Sequence, residues 1–190
     1  MNKTIKINIS KDAILFDAMN ITYLVGRAVE GTAPDSYAAV SYMTATEDEN
    51  EKQQLRRSIK NADAVIRAEF AEYMTSEQTA GDDELRFDIE GDKYTYSLSV
   101  PSNFANVVID EIAEQIHKYI VNTAVTEWFT LTNRAAAPDY AAQAATALMR
   151  LQLILCRRTR PTRPTTIVFN PTGKTVYEYT KNNGSEVATN

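Results

Sequence analysis

Residues 103–158 constrain this chain more than any other stretch, because two long runs there carry apolar residues at helical spacing and only residues 131–138 separate them. In the first run Phe104, Val108, Ile112, Ile116, Ile120, Ala124 and Trp128 recur at four-residue steps, and Ile109 and Tyr119 widen the stripe. A face of that width has to be buried. Pro101 stops the preceding strand, and Ser102 or Asn103 can accept a hydrogen bond from the first unpaired helix amides. Pro138 suits the first turn of the second helix, whose face is Tyr140, Ala144, Leu148, Leu151 and Leu155. Ala141, Ala142, Ala144, Ala145 and Ala147 let a neighbouring backbone come close, with Tyr140 or Trp128 filling the space left. The two runs therefore predict a tight antiparallel helical hairpin.

Upstream, Ile5, Ile7 and Ile9 alternate with Lys6 and Asn8, the pattern of a half-buried strand. Ser10 can cap a helix from Lys11 whose stripe is Ile14, Ala18, Ile21, Val25 and Ala28, ended by Gly31 and Pro34. Residues 31–45 read as a loop. At Thr46-Glu47-Asp48-Glu49 a capping box is expected, with Thr46 as cap and Glu49 reaching back. Leu55, Ile59, Ala62, Ile66, Phe70 and Tyr73 then predict an amphipathic helix to about Met74. Leu85, Phe87 and Ile89, then Tyr94, Tyr96, Leu98 and Val100, alternate around Glu90-Gly91-Asp92-Lys93 and predict a β-hairpin over 85–100. An isolated hairpin is marginal in water, so the strand at 4–9 is expected to pair with it.

The fold class is therefore mainly α: a bundle of about four helices with a small antiparallel β-sheet or hairpin and an extended C-terminal arm. Residues 1–158 form the bundle domain. Residues 159–190 hold a basic linker stiffened by Pro161 and Pro164, a second hairpin or arm around 167–179, and a polar tail expected to be disordered. A hydrophobic content of 44% with 24% charged residues is ordinary for a folded domain. The net charge of −5 argues against a protein that coats nucleic acid or an anionic membrane over its whole surface. Neither a signal peptide nor a membrane span is read in the sequence, and a single cysteine excludes an internal disulfide and a thiolate metal cluster, so a soluble protein made in a reducing cytoplasm is expected.

Charge is distributed unevenly. No acidic residue occurs from Tyr140 to Tyr177, a span that carries Arg150, Arg157, Arg158, Arg160, Arg163 and Lys174. Ala28 to Glu51 is the reverse, with Glu30, Asp35, Glu47, Asp48, Glu49 and Glu51 and no basic residue. Complementary patches of this kind can fix the register of neighbouring subunits, and the arginines can alternatively meet phosphates. Ordinary helix-end preferences for each sign give the same pattern without a partner. The candidate interface residues are Arg150, Arg157, Arg158, Arg160, Arg163, Glu47, Asp48 and Glu49. Tyr94 and Tyr96, taken as lying at an exposed sheet edge, join them, as do Phe169, Tyr177 and Tyr179 of the arm.

Catalytic chemistry is not readable. Glu114-Gln115-Ile116-His117 has the Glu-x-x-His spacing of carboxylate-bridged metal bundles, but such sites need a second copy and His117 is the only histidine. It reads instead as the edge of the buried stripe. Cys156 beside Leu155 reads as a small core residue, and no glycine-rich phosphate loop is present. Trp128-Phe129 with Tyr140 could anchor a partner, but reads better as closing the top of the bundle. No cofactor, no metal and no enzymatic activity are expected.

The succession Ala124-Val125-Thr126-Glu127-Trp128-Phe129, Leu131-Thr132-Asn133, Tyr140-Ala141-Ala142 and Arg157-Arg158-Thr159-Arg160-Pro161 resembles small structural proteins of phages of gut Bacteroidetes, and these in turn look like head-to-tail connector proteins. The resemblance spans about two thirds of the chain in pattern. It implies a virion structural protein at the head-to-tail junction, a homo-oligomeric ring (a dodecamer) beneath the portal protein. The partners would be portal and tail or further connector proteins, with DNA passing through the ring and no membrane contact. The alternative is a small helical nucleic-acid-binding or regulatory protein that uses the 157–163 arginines on phosphates.

Overall fold

The elements follow in the order β1 (Asn2–Ser10), α1 (Lys11–Val29), α2 (Ser36–Met43), α3 (Glu49–Glu69), β2 (Lys93–Pro101), α4 (Ile109–Thr132), α5 (Ala137–Leu155), β3 (Thr166–Phe169) and β4 (Thr175–Glu178). They come from a computed structural model that describes residues 2–29, 36–46, 48–74, 92–159, 166–169 and 175–178. The first arm of the expected hairpin, with Leu85, Phe87 and Ile89, lies outside the described residues, as do Glu47, Arg160, Arg163 and Tyr179. The chain divides into two units, residues 1–157 and 158–190.

In the first unit the isoleucine alternation becomes β1, antiparallel to β2, with Ile5 opposite Leu98, Ile7 opposite Tyr96 and Ile9 opposite Tyr94. All six side chains are buried, so the two-residue period of both strands delivers one continuous apolar face to the helices. The outer edge of β2 is met at one end, where Ser99 N–H donates to the Tyr73 carbonyl and Met74 bridges Leu98.

The expected helical hairpin is α4 and α5, with Pro138 in the first turn of α5. α4 is the centre of the unit and packs against α5, α3, α1, α2 and β1. That explains why its buried face is wider than a single stripe. Gln115, Val121, Val125 and Phe129 are buried along with Ile112, Ile116, Ile120, Ala124 and Trp128. Its start differs from expectation. Phe104 N–H bonds back to the Pro101 carbonyl at 2.9 Å, which spends Ser102 and Asn103 on a turn, and Phe104 drops into the core before a short 3-10 turn at Asn106–Val108 leads into the helix.

Three further elements depart from the sequence reading. Inside the supposed loop, Ser36–Met43 forms α2, which docks on α1 and α4. α1 buries Ile14, Ala18, Thr22 and Gly26, whereas Ala28 is exposed. A strict four-residue step through a hydroxyl and a glycine carries the face there, because Gly26 is where the end of α2 presses in. A Cβ at Gly26 would lie 2.6 Å from Thr44 Oγ1. The cap of α3 is Asp48, which accepts from Asn50 N–H at 3.0 Å, while Thr46 Oγ1 donates to Glu51 Oε2 at 2.7 Å. The carboxylate of Asp48 displaces the Thr46–Glu49 box by two residues.

In the second unit β3 and β4 form an antiparallel pair, Thr166 opposite Glu178 and Phe169 opposite Thr175. The span read as a second hairpin or an arm contains this pair.

Candidate protein interface

Exposed large apolar side chains of the first unit fall into two groups, on α1 with α2 and on α5, beside the single residues Val65, Val107 and Leu131. On α5 the buried residues are Ala137, Ala144, Ala147, Leu151, Ile154 and Leu155. At 100° per residue, Ala142, Ala145, Met149 and Leu153 fall on the opposite side. Met149 is 57% exposed and Leu153 71%. Cys156 ends this stripe and is exposed, not the core residue that its neighbour Leu155 implied, since the helix turns it away from α4.

The second group is on α1. With Ile14, Ala18 and Thr22 inward, Phe16 and Tyr23 point outward at 68% and 45% exposure. Together with Leu15 and Met19 they line an open groove of about 370 Å³, whose other side is Thr44, Ala45 and Lys52, with Asp12 at its end. The exposed Tyr42 lies at the end of α2.

α4 separates the two regions. Glu111, which pairs with Arg150 of α5, shares a face with Gln115, Lys118 and Asn122, which line a polar cleft against α5. His117, which bonds Asp17 of α1 at 2.7 Å, and Trp128, whose indole N–H donates to the Met43 carbonyl at 2.8 Å, lie roughly a third of a turn away around α4. The α1–α2 corner and α5 therefore sit on different faces of the central helix.

The sequence-predicted interface residues are placed as follows. Arg150 Nη2 is 2.7 Å from Glu111 Oε1 within the same chain. Glu49 accepts from Gln53 and Arg56, and Asp48 is a helix cap. Arg157 and Arg158 are exposed. Phe169 and Tyr177 stand on β3 and β4, two residues from being opposite in the pairing, with Ile167 opposite Tyr177. Tyr94 and Tyr96 are the correction. They face the core, at 4% and 1% exposure, because β2 turns its alternate residues onto the helices. Neither side chain is presented to a partner.

Tyr96 belongs instead to a buried polar group that sequence reasoning missed. Asp63 of α3 is 1% exposed; it accepts from the Tyr96 hydroxyl and, at 2.8 Å, from Arg67 Nε. The Arg67 guanidinium lies 4.8 Å from the Tyr96 ring centre. Burial first, and then the neighbouring Asp63 charge, push the Tyr96 hydroxyl far above the usual phenol range. Asp63 follows Ala62 and precedes Ile66 on the apolar stripe, and an acid inside such a stripe was the available signal. Trp128, Phe129 and Tyr140 do close the end of the bundle, with the Phe129 and Tyr140 rings 5.4 Å apart.

No family model, curated protein or solved structure matches the chain. Among the described residues no group of three or more His, Cys, Asp or Glu is placed to hold a metal ion, and no helix is long and apolar enough to cross a membrane.

Proposed function

We propose that the chain is a virion structural protein, a head-to-tail connector whose copies form a ring between the portal and the tail of a phage. The observation that supports this best is the pair of unlike apolar surfaces, the α1 groove and the α5 stripe, on different faces of α4. A ring is built from heterologous contacts, in which one surface of a subunit meets a different surface of the next, and two unlike patches on one domain are what such closure requires. The resemblance carried by residues 124–129, 131–133, 140–142 and 157–161 points to the same class. In this reading the first unit forms the ring wall, and the β3–β4 hairpin of the second is the arm that meets portal or tail proteins by strand addition.

The test is quantitative mass spectrometry of purified particles from a producing culture. The chain is expected at a low, fixed ratio to the major capsid protein. Its absence from intact tailed particles overturns the virion reading, and salt-sensitive duplex binding by the free protein would then place the 157–163 arginines on phosphates.

A further inference from the structure

We propose that the outer stripe of α5 in one copy docks antiparallel into the α1 groove of the next copy. The contact deepens the ring reading and rests on it for closure, but it is defined by chemistry local to two helices.

Shape comes first. The α5 stripe runs from small residues, Ala142 and Ala145, to large ones, Met149 and Leu153, and carries no charge along that length. The α1 groove presents Leu15, Phe16, Met19 and Tyr23. With α5 reversed over α1, Leu153 meets Phe16, Met149 meets Met19 and Asn20, and the bulky Tyr23 meets Ala145 and Ala142. Large side chains then lie beside large ones at one end, and the largest faces the small residues at the other, so two helix surfaces can approach without voids.

Charge fixes the direction. α1 has Asp12 in its first turn and Arg27 in its last. α5 has Asp139 in its first turn, and Arg157 follows its final residue. Those charges are separated by about 22 Å on α1 and about 27 Å on α5 at 1.5 Å per residue. In this antiparallel register Arg157 is level with Asp12, Asp139 lies three residues, about 4.5 Å, past Arg27 and within reach of its long side chain, and the helix dipoles oppose. Parallel docking puts like charges together at both ends, which is a repulsive arrangement. On the far wall of the groove stands Lys52, one turn after the helix cap Asp48. Stripe and groove lie on different faces of α4, so a copy that receives one neighbour at α1 remains able to offer α5 to the next.

Cys156, the only cysteine, reports on the contact directly because it sits at the end of the stripe. In the antiparallel register it falls beside position 13 of the next copy; in the parallel one it falls between positions 26 and 29, where Ala28 is exposed. Full-length Ala13→Cys and Ala28→Cys variants, each retaining Cys156, would be oxidised at concentrations where native mass spectrometry reports oligomers. A ladder of dimers, trimers and larger species is expected from Ala13→Cys. Ala28→Cys should show none beyond wild type, and adding Leu153→Glu should abolish the ladder while the helical circular dichroism is kept.

Three results overturn the proposal: a ladder from Ala28→Cys alone, dimers alone through Cys156 in the wild type and both variants, or a protein that remains monomeric throughout. Particle mass spectrometry separates this from the ring reading. The chain present in particles without the Ala13→Cys ladder removes this contact only, whereas the ladder without the chain in particles removes the virion role only.

Discussion

The Tyr96 hydroxyl of β2 donates to the Asp63 carboxylate of α3, and both side chains are almost completely withdrawn from solvent. Asp63 is satisfied from two sides, by a phenol and by the half-exposed Arg67, whose own carbonyl contact to Thr95 ties the same strand to the same helix. A polar group so placed positions the sheet on α3 at one register, because any slip takes the Tyr96 hydroxyl from the buried carboxylate and leaves it to Arg67 alone.

Removing either partner is expected to destabilise the fold by about 1–3 kcal/mol, the cost of a buried polar group left without its hydrogen bond. Tyr96→Phe and Asp63→Asn, measured by urea denaturation with the double variant, should be non-additive, with coupling of about 1 kcal/mol or more. Additive losses would mean that the two side chains contribute through packing alone.

Alkaline pH tests the same group. Tyr94 and Tyr96 are both raised above the ordinary phenol value of 10.0, by burial first and then by Asp63. The native state therefore keeps protons that the unfolded chain releases. Their contribution is complete below about pH 10 and is lost as pH rises beyond it, at up to about 1.4 kcal/mol per pH unit for each group. The urea midpoint should fall steeply above that pH, and Tyr96→Phe should reduce the slope. An unchanged slope in Tyr96→Phe would assign the fall to other groups.

How much of this was legible depends on where side-chain pattern alone decided the outcome. The isoleucine alternation of β1 and the apolar steps of α3, α4 and α5 each have one buried face, and periodicity reads that directly. α2 escaped because Ser36–Met43 is small, hydroxylated and short, a helix held by its neighbours rather than by its own pattern. Tyr94 and Tyr96 were placed at an open edge because nothing local announces which face of β2 the helices will cover. The groove on α1 was invisible for a related reason. The expected stripe runs through Ile21, Val25 and Ala28, and it leaves Phe16 and Tyr23 unassigned, whereas Thr22 and Gly26 are the buried residues. Long-range pairing fixed each of these, and composition does not encode it locally.

Gly26 should be sensitive for a reason confined to one contact. Its missing Cβ makes room for Thr44 Oγ1, which donates to the Val40 carbonyl at 2.9 Å and so closes the end of α2. Gly26→Leu is expected to cost about 1–3 kcal/mol by overpacking. Gly26→Ala gains up to about 1 kcal/mol of helix propensity and forfeits a similar amount at Thr44. Adding Thr44→Ala should therefore make the alanine variant more stable than either single change predicts. Trp128, the only tryptophan, bonds to the Met43 carbonyl and reports the outcome: its emission should shift to the red in Gly26→Leu. An unshifted spectrum would show that α2 stays docked on α4 despite the added side chain.

The Cys156 thiol gives a final measurement that needs no engineered residue. It is exposed at the end of the α5 stripe, so in dilute solution it should react promptly with a disulfide reagent, one thiol per chain, without denaturant. Self-association through that stripe covers it, and the rate should then decline as chain concentration rises. Leu153→Glu places a charge where an apolar contact forms and should hold the rate at its dilute value at every concentration. A rate independent of concentration in the wild type, at concentrations where oligomers exist, would move the contact between copies away from α5.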